Sequence, residues 1–171
     1  AAGYLAIAPA LYDRAERGVE LGYTLEDMQA GRDYRAKVGD EGPVADITAV
    51  VKELQSVGKV GTVGYCWGGT LSFLSATRVD GVAGSVIYYG GQIVPYKDET
   101  SNAPLLMHFG DMDAGIPMED VDQIKAAQPQ ADVHIYNADH GFNCDHRSQY
   151  DEDSCRVARE RSLAFFAQNI G

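Results

Sequence analysis

The sequence predicts an α/β fold in which a mostly parallel sheet is covered by helices on both faces. Short apolar runs rich in β-branched residues alternate along the chain with longer runs of helical periodicity. The composition, 45% hydrophobic and 23% charged over 171 residues, suits one globular domain spanning residues 1–171. Glycines and prolines are spread along the chain rather than clustered, as a series of short turns requires.

The first third of the chain predicts one strand and two helices. Residues 4–8 form an apolar run ended by Pro9, which is typical of a buried strand. The polar, glycine-rich stretch 13–45 predicts a long excursion with a helix near residues 25–36. Asp46 is a candidate cap for the next helix, in which apolar residues recur at helical spacing up to Leu54.

The remainder predicts a regular alternation of strands and helices. The expected strands are 59–63, 82–89, 104–109 and 132–136, and the expected helices are 68–77, 118–127 and 154–168. Ligands of such sheets bind at the carboxyl ends of the strands, so we look for functional residues just after each strand.

The charge of the chain excludes several classes of partner. The formal net charge is −11 and the sequence pI is about 4.6. Such a field repels nucleic acids and anionic membrane surfaces, so we expect neither as a partner. An anionic substrate would need a local cation to receive it. No apolar run is long enough to span a membrane.

The cysteines suggest a reducing compartment. There are three, Cys66, Cys144 and Cys155, and an odd number without close pairing argues against a disulfide framework. We therefore expect a cytoplasmic protein. No cysteine or histidine spacing indicates zinc, and we expect no metal site.

The segment KVGTVGYCWGGTLSFLSA, residues 59–76, carries the first chemical signal. Cys66 lies between Gly64 and Gly68, after a predicted strand and before a predicted helix. This pattern indicates a nucleophile on a sharp turn, where the Trp67 N–H can point at a developing oxyanion and the helix N-terminus favours a thiolate. A buried small residue or a redox thiol are the alternative readings.

A nucleophilic thiol needs a base and a group that orients the base. Asp111 and Asp113 follow the strand that ends near Phe109, and His140 follows the strand that ends at Tyr136. The chain order Cys, Asp, His is that of α/β-hydrolases. We favour Asp113 as the orienting carboxylate, since Asp111 directly follows Gly110 and can serve the turn alone.

Other histidines fit structural or solvated roles. His108 and His134 lie inside predicted strands, and His146 lies in a polar stretch.

The sequence resembles the dienelactone hydrolase family, a branch of the α/β-hydrolase fold. The motifs GYCWGG, HFGDMDAGIP and ADHGF occur in the family's order, and GYLAIAPALYDR and LAFF extend the likeness over nearly the whole chain. The resemblance implies that Cys66 is the nucleophile, and that Asp113 and His140 complete its triad. It also implies that Arg14 receives a substrate carboxylate; a surface pair with Asp13 or Glu16 is the alternative.

The chain departs from the family pattern in two places. The position four residues after His140, where the type enzyme has a second carboxylate-binding arginine, holds Cys144, and Arg147 lies nearby. Family members also carry earlier strands, a loop with another oxyanion donor and a glutamate implicated in activating the thiol. In the family these features would come before the position of residue 1. We therefore expect the N-terminal strands to be missing from this chain and the full protein to have more chain.

The predicted function is hydrolysis of a small ester or lactone of the dienelactone type, without a cofactor. We expect a small-molecule substrate and a monomer or weak homo-oligomer. The alternative is a catalytically silent or redox-sensing member of the fold that acts as a binding module.

Overall fold

A computed structural model of the chain, which describes residues 2–171, contains one four-stranded sheet. All three strand pairs are parallel and the strands follow the chain order β1-β2-β3-β4. Their bounds are Val60–Tyr65, Val82–Tyr88, Leu105–Gly110 and Asp132–Tyr136. Tyr65 is paired with Tyr88, and Tyr88 with His108, so the carboxyl ends of the strands lie at one edge.

Five α-helices surround this sheet. They are α1 Leu25–Val38, α2 Glu41–Leu54, α3 Trp67–Arg78, α4 Met118–Ala127 and α5 Glu152–Asn169. A short 3₁₀ turn, Val94–Tyr96, follows β2.

Adjacent residues of β2 show that helices cover both faces. A Cβ on Gly84 would lie 2.9 Å from the Phe165 ring of α5. Ser85 points the other way, where its hydroxyl lies 2.7 Å from that of Thr62, which lies 2.8 Å from Ser72 of α3. Because successive side chains of a strand alternate, α3 and α5 lie on opposite faces. The predicted α/β architecture is confirmed.

Most predicted elements are found within about two residues of their expected bounds, and α4 and β4 have the predicted bounds. The proposed cap at Asp46 is wrong. Helix α2 begins at Glu41, with Asp40 rather than Asp46 at its cap position, because Pro43 falls in the first helical turn, where a missing N–H costs nothing. Asp46 is therefore interior to α2, where its carboxylate binds Arg14.

The strand predicted at residues 4–8 is also wrong. This segment has no regular secondary structure, and Leu5 and Ile7 are exposed by 65% and 49%. Within residues 2–171, β1 pairs only with β2, and residues 4–8 do not hydrogen-bond to its free edge. An apolar run becomes a strand only with a ladder partner, since its backbone groups otherwise remain bonded to water.

A buried polar network joins the inner strands to α5. His108 is fully buried, with Nδ1 2.9 Å from the Tyr136 hydroxyl and Nε2 3.1 Å from the Ser162 hydroxyl. Ser162 also lies 2.8 Å from the Tyr88 hydroxyl, and Arg161 donates to Tyr136. Burial lowers the pKa of His108 to about 3, with the charges of His134 and Arg161 adding to the effect. His108 is therefore a neutral structural group at ordinary pH.

No helix of residues 2–171 is both long enough and apolar enough to cross a membrane.

Candidate active site

Cys66 lies on the turn between β1 and α3, with a backbone conformation that side chains rarely adopt. Its φ and ψ are 55° and −118°. The Cys66 N–H donates to the Tyr88 carbonyl at 3.0 Å, and the Cys66 carbonyl accepts from the Gly69 N–H at 3.0 Å. Strained, over-determined residues of this kind are concentrated at active sites. The turn holds the thiol at the N-terminus of α3 and exposed to solvent.

The glycines explain how this turn can close. A Cβ on Gly64 would overlap the carbonyl of Gly68, and one on Gly69 would lie 2.7 Å from the Tyr88 carbonyl oxygen. Both obstacles are backbone atoms and cannot swing aside. By contrast, a Cβ on Gly68 would meet nothing within 4 Å. Close packing therefore requires glycine at positions 64 and 69, whereas the second glycine of the predicted motif is sterically free.

Asp113 and His140 meet directly, 27 residues apart in sequence. The Asp113 Oδ2 atom lies 2.6 Å from Nδ1 of His140, while its Oδ1 accepts the Gly115 N–H at 2.8 Å. The Asp113 side chain is 1% exposed and that of His140 is 24% exposed. The turns after β3 and β4 bring the pair together. Asp111, the other aspartate considered, is exposed and donates its N–H to the Tyr136 carbonyl.

The thiol and the imidazole influence each other's protonation. Although Cys66 is exposed at the surface, the protein around its sulfur partly desolvates it and acts to raise its pKa. A hydrogen bond and positive charge from His140, with the Trp67 N–H, outweigh this effect and lower that pKa. Burial acts to lower the pKa of His140, but hydrogen bonds to Asp113 and Cys66 raise it to about 9. These shifts favour a thiolate–imidazolium pair near neutral pH.

An aromatic wall flanks the thiol on the α1 side. Trp67, the residue after Cys66, stacks on Tyr12 with ring centroids 5.8 Å apart and an interplanar angle of 12°. Its indole N–H donates to Asp40 at 2.8 Å, and the Arg35 guanidinium lies over its ring. Burial and the charge of Cys66 raise the pKa of Tyr12, so Tyr12 also lies near the thiol. We did not predict Tyr12; the signal was its place in the LYDR segment.

Two arginines differ sharply in their surroundings. Arg14 binds Asp46 of α2 through two hydrogen bonds of 2.8 Å, rather than Asp13 or Glu16, and its side chain is 49% exposed. Arg147 is half-buried, and its guanidinium lies beside Gly141, where an added Cβ would be 2.6 Å from it. No carboxylate of residues 2–171 forms an ion pair with Arg147. Its charge also acts to lower the pKa of Cys66.

Cys144 lies on the same loop as Arg147. Its thiol lies near the Tyr23 hydroxyl and is the main cause of the raised pKa of Tyr23. All three cysteines are free thiols. Within the described residues 2–171, no group of three or more potential ligands could hold a metal ion.

A cavity of about 490 Å³ lies away from Asp113 and His140. It is an apolar groove along the free edge of β1, lined among others by Leu5, Ile7, Val51, Leu163 and Phe166. Neither Cys66 nor His140 lines this groove.

Comparison with known proteins places this geometry in a family. The family model described as the dienelactone hydrolase family matches residues 1–170. The chain belongs to the dienelactone hydrolase family. The resemblance drawn from the three motifs is thereby confirmed, and so is the expectation of a family of hydrolases that act on esters or lactones.

Curated relatives agree with this membership. The chain is 33% identical over 179 residues to a carboxymethylenebutenolidase of Pseudomonas putida, covering 96% of this chain and 74% of that protein. It is 32% identical over 188 residues to a Synechocystis protein provisionally named carboxymethylenebutenolidase, covering 98% of this chain and 76% of the relative.

Solved structures confirm the fold. A Klebsiella pneumoniae protein provisionally named dienelactone hydrolase superposes with a TM-score of 0.71 at 31% identity, covering 78% of this chain and 63% of that one. This chain thus spans less than two thirds of that protein. A Pyrococcus furiosus esterase is similar in fold alone, with a TM-score of 0.60 at 15% identity.

Proposed function

We propose that the protein hydrolyses a small ester or lactone through a thiolate at Cys66, with His140 as proton carrier and Asp113 as its orienting group. The observation that supports this proposal is the 2.6 Å contact between Asp113 and His140, together with the proximity of His140 to Cys66 that lowers the pKa of the thiol. A nucleophile, a base and an oriented base are what acyl transfer requires.

Acylation follows from this arrangement. The Cys66 thiolate attacks the acyl carbon and forms a C–S bond, while the Trp67 N–H donates to the oxyanion. The carbon–oxygen bond to the leaving group then breaks, and the His140 imidazolium gives its Nε2 proton to the departing oxygen. In a lactone this oxygen stays tethered to the acyl part. Asp113 accepts from Nδ1 throughout and stabilises the charged ring.

Deacylation reverses the role of the histidine. Neutral His140 takes a proton from water as the oxygen of water attacks the thioester carbon. The C–S bond breaks, the carboxylic acid product leaves, and the thiolate–imidazolium pair is restored. None of these steps consumes a cofactor.

The charge of the chain bears on the substrate. A substrate carboxylate would meet a net charge of −11, so it needs a cation beside the thiol. The resemblance to the family implies this role for Arg14, whose guanidinium is bound to Asp46. Arg147 supports a second assignment, because it lies near Cys66 without an ion pair among residues 2–171. A cytoplasmic location and a monomeric or weakly oligomeric state stay predictions.

Replacement of the thiol tests the proposal. Cys66→Ala should abolish turnover of a p-nitrophenyl ester and of a dienelactone, and Cys155→Ala, at a thiol on α5, should leave both unchanged. Wild-type Cys66 should also react rapidly with iodoacetamide well below pH ~8.5, the ordinary thiol pKa. Undiminished turnover in Cys66→Ala would refute the nucleophile. Slow labelling together with no turnover in the wild type would favour a silent binding module.

A further inference from the structure

Tyr89 has a backbone conformation that its residue type rarely adopts. It is the first residue after β2, and its φ is 39°. Among residues 2–171, only Cys66 and Tyr89 combine a side chain with a positive φ. For a bulky residue such a φ is a true outlier, and outliers of this kind concentrate at ligand and active sites.

Hydrogen bonds hold Tyr89 in this conformation beside the nucleophile. Its N–H donates to the His108 carbonyl at 2.8 Å, while the carbonyl of the preceding Tyr88 accepts the Cys66 N–H at 3.0 Å. The two strained residues are therefore separated by one backbone hydrogen bond, and the turn that carries the thiol also positions Tyr89.

The Tyr89 ring is packed, but its hydroxyl is not used by the protein. The residue is 3% exposed, with its ring centroid 5.0 Å from that of His140 and 5.4 Å from that of Phe142. The phenol oxygen has no hydrogen-bond partner within residues 2–171. A fully enclosed side-chain polar atom without a partner also occurs there, but Asn143 Oδ1 is the one such atom, and the phenol oxygen is not. The phenol oxygen is therefore not fully enclosed by protein. Buried tyrosines usually bond their hydroxyl, so this one is available to a ligand.

The surroundings of the phenol keep its proton in place. Burial raises the pKa of Tyr89, and the charges of Tyr65, Cys144 and Cys66 raise it further. Tyr89 is thus a neutral donor near the thiol over the working pH range.

We infer that the Tyr89 hydroxyl contacts the substrate and donates a hydrogen bond to the leaving-group oxygen during acylation. The side of the thiol on which it lies decides this role. Its ring is packed against His140, which protonates the leaving oxygen, whereas Trp67 and Tyr12 form the other wall. Tyr89 keeps its own proton, and the proton that is transferred comes from His140. This inference rests on the proposed function.

The expected effect depends on the leaving group. A hydrogen bond to an oxygen strengthens as that oxygen gains negative charge, so it favours the transition state over bound substrate. Esters with poor leaving groups need this help most. Loss of the hydroxyl should lower kcat/KM by roughly ten- to a hundredfold for phenyl or alkyl esters, the range of one hydrogen bond to a charged group.

Tyr89→Phe tests the inference, because it removes one oxygen and keeps the packed ring. Its kcat/KM for a set of acetate esters, from p-nitrophenyl to alkyl, should fall more steeply with leaving-group pKa than that of the wild type. Tyr65→Phe is the matched control. The Tyr65 residue is 47% exposed, and its ring centroid lies 6.3 Å from that of Tyr89. This variant should retain the wild-type slope.

The outcomes separate the inference from the proposal beneath it. An equal loss for all esters, or no loss, in an active protein would overturn the role of Tyr89 and leave the thiol mechanism intact. Iodoacetamide labelling of Cys66 at the wild-type rate in Tyr89→Phe would show that the turn itself is undisturbed. A wild-type protein that turns over none of the esters would overturn both.

Discussion

Replacing Asp113 by Asn should uncouple the imidazole from the thiol. The amide keeps the size of the carboxylate and can still accept the Gly115 N–H, but it removes the charge 2.6 Å from His140 Nδ1. With a pKa of about 9, His140 is roughly 97% imidazolium at pH 7.5. If its pKa returns to about 6.5, that fraction falls to roughly 10%, about a tenfold loss of the cation that stabilises the thiolate.

Two titrations measure this change. The His140 ring proton followed by NMR should show a pKa lowered by more than one unit in Asp113→Asn, and the pH profile of Cys66 alkylation should move upward toward the ordinary thiol value. Turnover should fall as well, since the equivalent change in a serine protease triad costs about 10⁴ in kcat. Asp111→Asn is the control, because Asp111 is exposed on the same loop. A His140 pKa that stays near 9 in Asp113→Asn would refute the reasoning.

Stability gives an independent reading of the same pair. The folded pKa of His140 is raised above its unfolded value of about 6.5, so its contribution to stability is complete below that pH. The contribution is lost as pH rises through about 9. The difference in free energy of unfolding between wild type and Asp113→Asn should therefore change across this window, being larger at pH 6 than at pH 10. A difference that is constant with pH would mean that Asp113 does not set the protonation of His140.

Two further pairs of substitutions test the turn and the cation. In urea unfolding, Gly64→Ala should destabilise the protein by at least the ~1–3 kcal/mol typical of overpacking. Gly68→Ala has open space around its Cβ and should be neutral or stabilising. Equal effects of the two substitutions would contradict the packing argument. Arg147→Met should raise KM for a carboxylate-bearing ester by roughly tenfold and leave a neutral ester unchanged. Arg14→Met compares the other candidate, and a selective loss there alone would return the role to Arg14.

The parts of the fold that the sequence predicts well are those governed by local pattern. The strands around Cys66, Asp113 and His140 were located because apolar runs end at recognisable turns, and strand ends in a parallel sheet share an edge. The strand prediction for residues 4–8 is wrong because a strand there depends on more than local pattern. Their composition favours a strand, but a strand exists only if another chain segment completes its ladder, and composition does not contain that information.

In the candidate site, too, local pattern predicts some contacts and the folded loops determine the others. The motif spacing predicted the contact between Asp113 and His140, since each follows its own strand directly. It did not predict Arg147, whose position depends on how the loop after His140 folds back over Gly141. It also did not single out Tyr89, although that residue ends a predicted strand at the edge where ligands bind. The asymmetry between Gly64 and Gly68 likewise depends on atoms that only the folded turn brings close.

The buried network around His108 sets an acid limit on the fold that is separate from the chemistry at Cys66. This histidine is protonated near pH 6.5 in the unfolded chain, whereas its pKa in the folded protein is about 3. Its contribution to stability is therefore complete above pH 6.5 and declines as pH falls toward 3. We therefore expect acid to destabilise the fold through the contact between His108 and α5, a contact that takes no part in the proposed chemistry.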